Sequence, residues 1–162
     1  MSSFFSMLAS LALFLHPPYL ADRHSEAGCL AQMTYYEQRG RSVESKAATA
    51  HVALKRATHP EFPSTICAAI SHKNAFSYRP LLKKRPPFST EEWRKSVEIS
   101  LGVLEGRIPD PTEDALFFCN PKTATRGWCR KAKGPILDGT KYVSMESYIK
   151  ATRPTKFRSL PR

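Results

Sequence analysis

The sequence predicts a mainly helical α+β domain carrying a small antiparallel sheet. Helical periodicity of apolar residues runs through several stretches between residues 26 and 104, whereas strand-like patterning is confined to short runs near 115 and 141. A chain of 162 residues with 13 Pro also has room for one compact domain plus extra segments, joined by extended connections. No internal repeat is present.

The elements follow in order. A helix begins near Glu26, with Leu30, Met33 and Glu37 on one face and Cys29 and Tyr36 flanking it. It stops at Gly40, which is suited to a left-handed C-terminal cap. A second helix runs from about Ser42 to Arg56. Its inward face is assigned to Val43, Ala47, Ala50 and Leu54, small enough for close helix approach. Phe62-Pro63 punctuates the chain, Ser64 to Ile70 reads as a short helix, and Asn74 to Tyr78 has strand or turn character. Leu82 to Phe88 (LKKRPPF) reads as an exposed loop. Ser89 with Glu92 is a capping-box signature for the clearest helix, whose buried stripe is assigned to Trp93, Val97, Leu101 and Leu104 before Gly106 ends it. Asp110-Pro111-Thr112 marks a turn, Ala115 to Cys119 a strand and Lys141 to Met145 a further strand; Arg153 onward reads as irregular.

Charge and cysteines bound the function. The formal net charge is +11 with a pI near 9.8, which implies an anionic partner such as nucleic acid, anionic lipid or an acidic wall polymer. From Lys122 to Arg162 there are 11 Lys/Arg against Asp138 and Glu146, so the excess is C-terminal: a solvated tail or a polymer-binding surface. At the other end no charged residue precedes Asp22, and Phe4 to Leu15 (FFSMLASLALFL) is apolar apart from two serines. The run is shorter than the roughly 20 residues of a membrane-spanning helix and suits a signal-peptide core broken by Pro17-Pro18. With no preceding Lys or Arg and no clear cleavage site, an uncleaved anchor or a helix packed on the domain stays open; export is the expectation. Cys29, Cys67, Cys119 and Cys129 allow three pairings and lack zinc-ligand spacing. Cys119 with Cys129 closes a short loop and leaves Cys29 with Cys67; buried free thiols are the other reading.

Glu37 is the candidate catalytic acid. It lies on the inward face, behind Tyr35 and Tyr36, in the last turn of its helix. Partial burial and the negative end of the macrodipole both push a carboxyl upward, as a general acid for glycosidic cleavage requires. Arg39 and Arg41 oppose that shift if they turn inward, and a surface Glu37–Arg41 pair at i,i+4 is the bland alternative.

Five separate pieces carry a family resemblance, in order and with matching spacing, from Cys29 to Trp128: YYEQRGR from Tyr35, VALKR from Val52, FPSTIC from Phe62, AFSY from Ala75, and GRIPDPTEDALFFCNP from Gly106. Together they resemble the SleB/CwlJ-like cell-wall hydrolase family, with its Y-x-E-A-R-G-E, V-x-L-N-R and F-P-x-T-I/V-C runs. The resemblance implies a lysozyme-like fold and cleavage between N-acetylmuramic acid and N-acetylglucosamine, with the catalytic Glu at Glu37. It implies that Phe76, Ser77 and Tyr78 line the sugar cleft, with Phe118 and Asn120 on the opposite wall; core or turn roles remain open for these residues. Lys55 stands where the family has Asn and Gln38 where it has Ala, and the family's G-N-H-V-F-Y run is only echoed by DGTKYVSM from Asp138, so the far half of the cleft is expected to be rebuilt.

A retaining or inverting glycosidase needs two carboxyl groups, whereas a lytic transglycosylase needs one. Glu44, Asp110 and Asp114 are the candidate partners, none in an apolar setting comparable to that of Glu37, so a transglycosylase is favoured. No metal-ligand cluster or phosphate loop is evident, and no metal or cofactor is expected. The organisation read from the sequence is a leader and linker over 1–24, a lysozyme-like domain over 25–150 and a basic irregular tail over 151–162. The expected partner is the peptidoglycan glycan strand, met by a monomer at the periplasm, cell wall or virion. The leader and basic C-terminus offer contact with an anionic membrane surface. The competing class is a basic nucleic-acid- or membrane-binding protein without catalysis, with Trp128 and Tyr142 as stacking residues.

Overall fold

Ser25 starts the first helix by accepting the Gly28 N–H on its hydroxyl at 3.0 Å, so α1 spans Glu26–Glu37. The computed structural model describes residues 25–72, 76 and 89–153. The apolar run Phe4 to Leu15, most of the Asn74 to Tyr78 segment, the LKKRPPF loop and the chain beyond Arg153 lie outside the described residues. Leu30 and Met33 of α1 are fully buried, and Gly40 (φ 72°) takes the left-handed conformation expected of it.

Helix α2, Val43–Thr58, is capped by the Ser42 hydroxyl and forms the axis of the domain. Helix α1 packs against it, as do α3 (Ile66–Ser71), α4 (Glu91–Leu104) and strand β1 (Ala115–Cys119). Neighbours on several sides explain why Ala47, Ala48, Ala50, Val52 and Ala53 are all buried: small side chains let each neighbour approach. The inward face therefore differs from the expected one, since Val43 sits at the exposed mouth of the helix, 59% accessible. Helix α3 is capped by Thr65 and stapled to α1 twice. Cys29 and Cys67 form a disulfide, and the Glu26 carboxylate accepts the Ile66 N–H at 2.5 Å.

Helix α4 is capped by Thr90, whose hydroxyl accepts the Trp93 N–H at 3.2 Å, and not by Ser89. Its buried face is Trp93, Ser96, Ile99, Ser100 and Val103, with Val97, Leu101 and Leu104 only half-buried, a rotation from the expected stripe. The reason is closeness to α1: Ser96 and Ser100 fit where a leucine would not, and the Ser100 hydroxyl donates to Thr34 inside the core.

The shift of cap frees Glu92 for another task. Its carboxylate accepts from the Gly40 N–H at 3.0 Å and from the Lys46 ammonium at 2.5 Å. Lys46 is 1% exposed and also donates to the Gln38 carbonyl, which ends α1. From the other side Asp138 receives the Ser42 N–H and the Ser45 hydroxyl on one carboxylate oxygen, while its carbonyl accepts from Arg41. The segment from Gln38 to Ser42, directly after Glu37, is thus held from both sides.

Asp138 comes from a hairpin. The sheet has order β1-β3-β2, all antiparallel, with β2 at Ile136–Leu137 and β3 at Thr140–Ser144. Asp138 and Gly139, both at positive φ, make the two-residue turn. A register shift between Ala115 and Phe117 marks a bulge in β1. Consecutive Phe117 and Phe118 face opposite sides of the sheet: Phe117 stacks on Tyr148 at 4.1 Å, and Phe118 meets Phe76 and Tyr142. Two helices that the sequence did not signal complete the domain, α5 at Gly127–Lys131 and α6 at Met145–Thr152. The second disulfide, Cys119–Cys129, ties the end of β1 to α5, and α6 runs two residues beyond the boundary read at 150.

Gly134 lies so close to β3 that an added Cβ would sit 1.7 Å from the Tyr142 carbonyl oxygen, whereas one added at Gly127 meets nothing within 4 Å. Gly134→Ala is expected to cost about 3 kcal/mol and Gly127→Ala less than about 0.5 kcal/mol in urea unfolding; equal costs would refute the close approach. The Asp138 carboxyl, held down to about 2 by its hydrogen bonds from Ser42 and Ser45, stabilises the fold above its unfolded pKa, and that contribution is lost as pH falls through its folded pKa. Thermal midpoints should therefore fall between about pH 4 and pH 2. Asp138→Asn should melt lower at neutral pH and show a flatter acid limb; an unchanged limb would exclude the latch as its source.

Candidate active site

Glu37 is the last residue of α1, is half-buried and lines a cleft of about 560 Å3. Arg41 and Gln38 lie beside it, Phe76 and Phe118 form one wall, and the turn Asn120–Arg126 with Trp128 forms another. Glu37, Phe76 and the Phe118–Asn120 segment, taken from three distant parts of the sequence, are thereby brought together. Ser77 and Tyr78 lie outside the described residues.

The walls are built differently. Phe76 is almost fully buried and leans on Phe118 at 5.6 Å, so Phe118 shares the wall of Phe76 and does not stand opposite it with Asn120 as expected, because β1 brings its ring onto the core that holds Phe76. Asn120 accepts the Lys122 N–H at 2.9 Å on its side chain, and its carbonyl accepts from Thr123 and Ala124. Its side chain is therefore engaged in the turn, which presents Thr123, Thr125 and Arg126 to the cleft. The Cys119–Cys129 disulfide closes this wall and lines it.

Arg56 was given no role from the sequence, yet it organises the apolar wall. It is 4% exposed, and Nε donates to the Leu116 carbonyl at 2.7 Å. Its guanidinium lies 5.2, 4.8 and 5.5 Å from the rings of Phe62, Phe76 and Phe117. Burial lowers its pKa to about 10, a shift the nearby Glu37 carboxylate opposes. A buried cation therefore stands behind the aromatic wall and within electrostatic reach of Glu37. The signal was its place at the end of VALKR, four residues after the buried Val52 on the same helical face.

The carboxylates proposed as partners for Glu37 are elsewhere. Glu44 is exposed in the first turn of α2, and Asp114 is exposed in the turn before β1. Asp110 is paired with Lys55 at 2.5 Å and accepts from Thr112; burial raises its pKa, but these hydrogen bonds outweigh burial and hold it low. Lys55 thus has a structural use of its own, fixing the turn before β1 through Asp110 and the Glu113 carbonyl. Glu37 is the one carboxylate among the residues lining the cleft. The residues outside the description include a single carboxylate side chain, Asp22.

Two sequence readings are corrected. Arg41 spends its guanidinium on the Asp138 carbonyl at 2.8 Å, not on a simple helical pair with Glu37. Tyr142 cannot stack on a nucleic acid base: it is fully buried, bonded to Thr49 and the Ser45 carbonyl, and burial drives its phenol up to about 12. Trp128 packs edge-on against Tyr148 while still facing the cleft.

Comparison with known proteins bears on the fold and the family. A cell wall hydrolase family model matches residues 40–139, opening just after Glu37. The spore cortex-lytic enzyme of Bacillus subtilis is 36% identical over 101 residues, covering 61% of this chain and 30% of that protein. That of Oceanobacillus iheyensis is 33% identical over 99 residues, covering 61% of this chain and 34% of its own length. The chain thus spans about a third of these curated relatives. Among solved structures, the catalytic domain of the germination-specific lytic transglycosylase SleB from Bacillus anthracis superposes with a TM-score of 0.62 at 26% identity, over 74% of this chain and 93% of that one. The Bacillus cereus SleB catalytic domain gives 0.61 at 27% identity, over 74% and 89%. The lysozyme-like α+β architecture is shared with these domains, and with a family model spanning more than half its length this chain belongs to the cell wall hydrolase family.

Proposed function

We propose that this protein is a peptidoglycan lytic transglycosylase in which Glu37 alone supplies the acid and the base. The observation that carries the reading is the single carboxylate in the cleft, with the other candidates held at the surface or in an ion pair. Glu37 protonates the glycosidic oxygen between N-acetylmuramic acid and N-acetylglucosamine, and that bond breaks as the leaving sugar departs. The substrate's acetamido oxygen stabilises the cationic centre. The Glu37 carboxylate then removes the proton of the sugar's 6-hydroxyl as its oxygen closes a 1,6-anhydro ring, returning Glu37 to its starting state. No water is consumed, so no second carboxylate is needed to activate one. Arg56 supports the anionic form that Glu37 takes between the two proton transfers, and Phe76 and Phe118 shape the wall behind it. Asn120 shapes the opposite wall.

The site of action is the cell wall, outside the cytoplasm. Two disulfides suit an oxidising compartment, and the apolar Phe4 to Leu15 run supplies the export signal or tether.

Mass spectrometry of fragments released from purified peptidoglycan tests the reaction. Wild type is expected to release anhydromuramyl ends, and Glu37→Gln to lose about 10³-fold of the rate. Reducing-end products would show hydrolysis and require a second carboxylate; activity retained by Glu37→Gln would overturn the site.

A further inference from the structure

Beside the cleft lies a second depression, of about 320 Å3, lined by Lys131, Lys133, Lys150 and Arg153 with Ser147 and Ala151. It is a fixed surface, because the Ser147 hydroxyl binds both the N–H and the carbonyl of Lys133, joining the loop after α5 to α6. The Cys119–Cys129 disulfide fixes α5 in turn. Glu146 pairs with Lys150; Lys131, Lys133 and Arg153 are exposed, with no ion pair among the described residues. One short helix serves both: Trp128 and Cys129 line the cleft, and Lys131, one turn after Trp128, lines the depression.

We propose that this basic depression docks the carboxylate-bearing peptide stems of the glycan strand whose sugars occupy the cleft. The inference rests on the peptidoglycan reading above. A glycan strand is longer than the cleft and carries its anionic peptides sideways from the muramic acid units, so cations beside the cleft meet carboxylates when the strand is threaded. Lys131, Lys133 and Arg153 provide that complementarity, and the Ser147 bonds hold the backbone of Lys133 in place. The surface adds retention and strand orientation without contributing a reacting group.

The test is a binding measurement that needs no turnover. Glu37→Gln protein is co-sedimented with teichoic-acid-free sacculi, native or with their free carboxyls converted to amides by carbodiimide and ammonia. Native sacculi are expected to bind about tenfold more tightly than amidated ones at about 50 mM salt, with the difference shrinking as salt screens it. In the same background Lys131→Gln/Lys133→Gln/Arg153→Gln should bind both forms alike, while Lys131→Arg/Lys133→Arg should restore the preference. Equal binding of native and amidated sacculi by the unsubstituted surface would overturn the proposal. So would a preference that survives removal of the three cations, or an affinity appearing only on walls retaining phosphate-rich teichoic acid. Absence of glycan cleavage by the wild type would instead count against the lytic reading, a separate result from this one.

Discussion

A buried lysine ammonium holds the candidate catalytic end of this domain in place. Lys46 is 1% exposed in the middle helix, where an unpaired charge would be costly, and it has two partners: the Gln38 carbonyl and the Glu92 carboxylate. Those partners belong to α1 and α4, so one charge ties three helices at the residue that follows Glu37. Glu92 adds the Gly40 N–H, and Asp138 secures Arg41, Ser42 and Ser45 from the hairpin. The last turn of α1 therefore has little freedom to fray, unlike an ordinary helix end.

The same economy of charge extends into the cleft. Arg56 is sandwiched among Phe62, Phe76 and Phe117, so one side chain both organises the apolar wall and places a cation near Glu37. On the opposite wall a short disulfide loop and an asparagine-stabilised turn replace helical packing. One wall is thus rigid through aromatic burial and the other through covalent closure. In the proposed reaction a glycan strand held between them would meet fixed surfaces, which would favour a carboxyl acting in both directions of proton transfer without relocating.

Much of this was legible in the sequence. The helices at 26, 43 and 91, the strand at Ala115 and the bringing together of Glu37, Phe76, Phe118 and Asn120 followed from periodicity and from five ordered motifs. The differences have two causes. Ser89 and Thr90 both offer a hydroxyl ahead of the helix, and only the structure selects Thr90. Apolar size, read as burial, places Val43 inside and draws the stripe of α4 through its leucines. In this domain burial follows closeness: alanines and serines sit between helices beside Trp93 and Ile99, and Val43, Val97, Leu101 and Leu104 are displaced toward the edges. Helices α5 and α6 are too short to show periodicity, and the Asp138-Gly139 hairpin signal was read as an echo of a family motif. Lys46 and Arg56 carry no signal of their own because charged residues on a helix ordinarily face water, and Glu92 reads only as a capping-box partner.

The central claim is that the Lys46 anchor positions Glu37, and the most direct measurement is the turnover of Lys46→Met on purified peptidoglycan, with folding verified by circular dichroism at the assay temperature. A folded variant with kcat reduced about 100-fold and KM little changed is the outcome this account requires. A folded variant that turns over at the wild-type rate would show that Glu37 is positioned by something other than the buried ammonium.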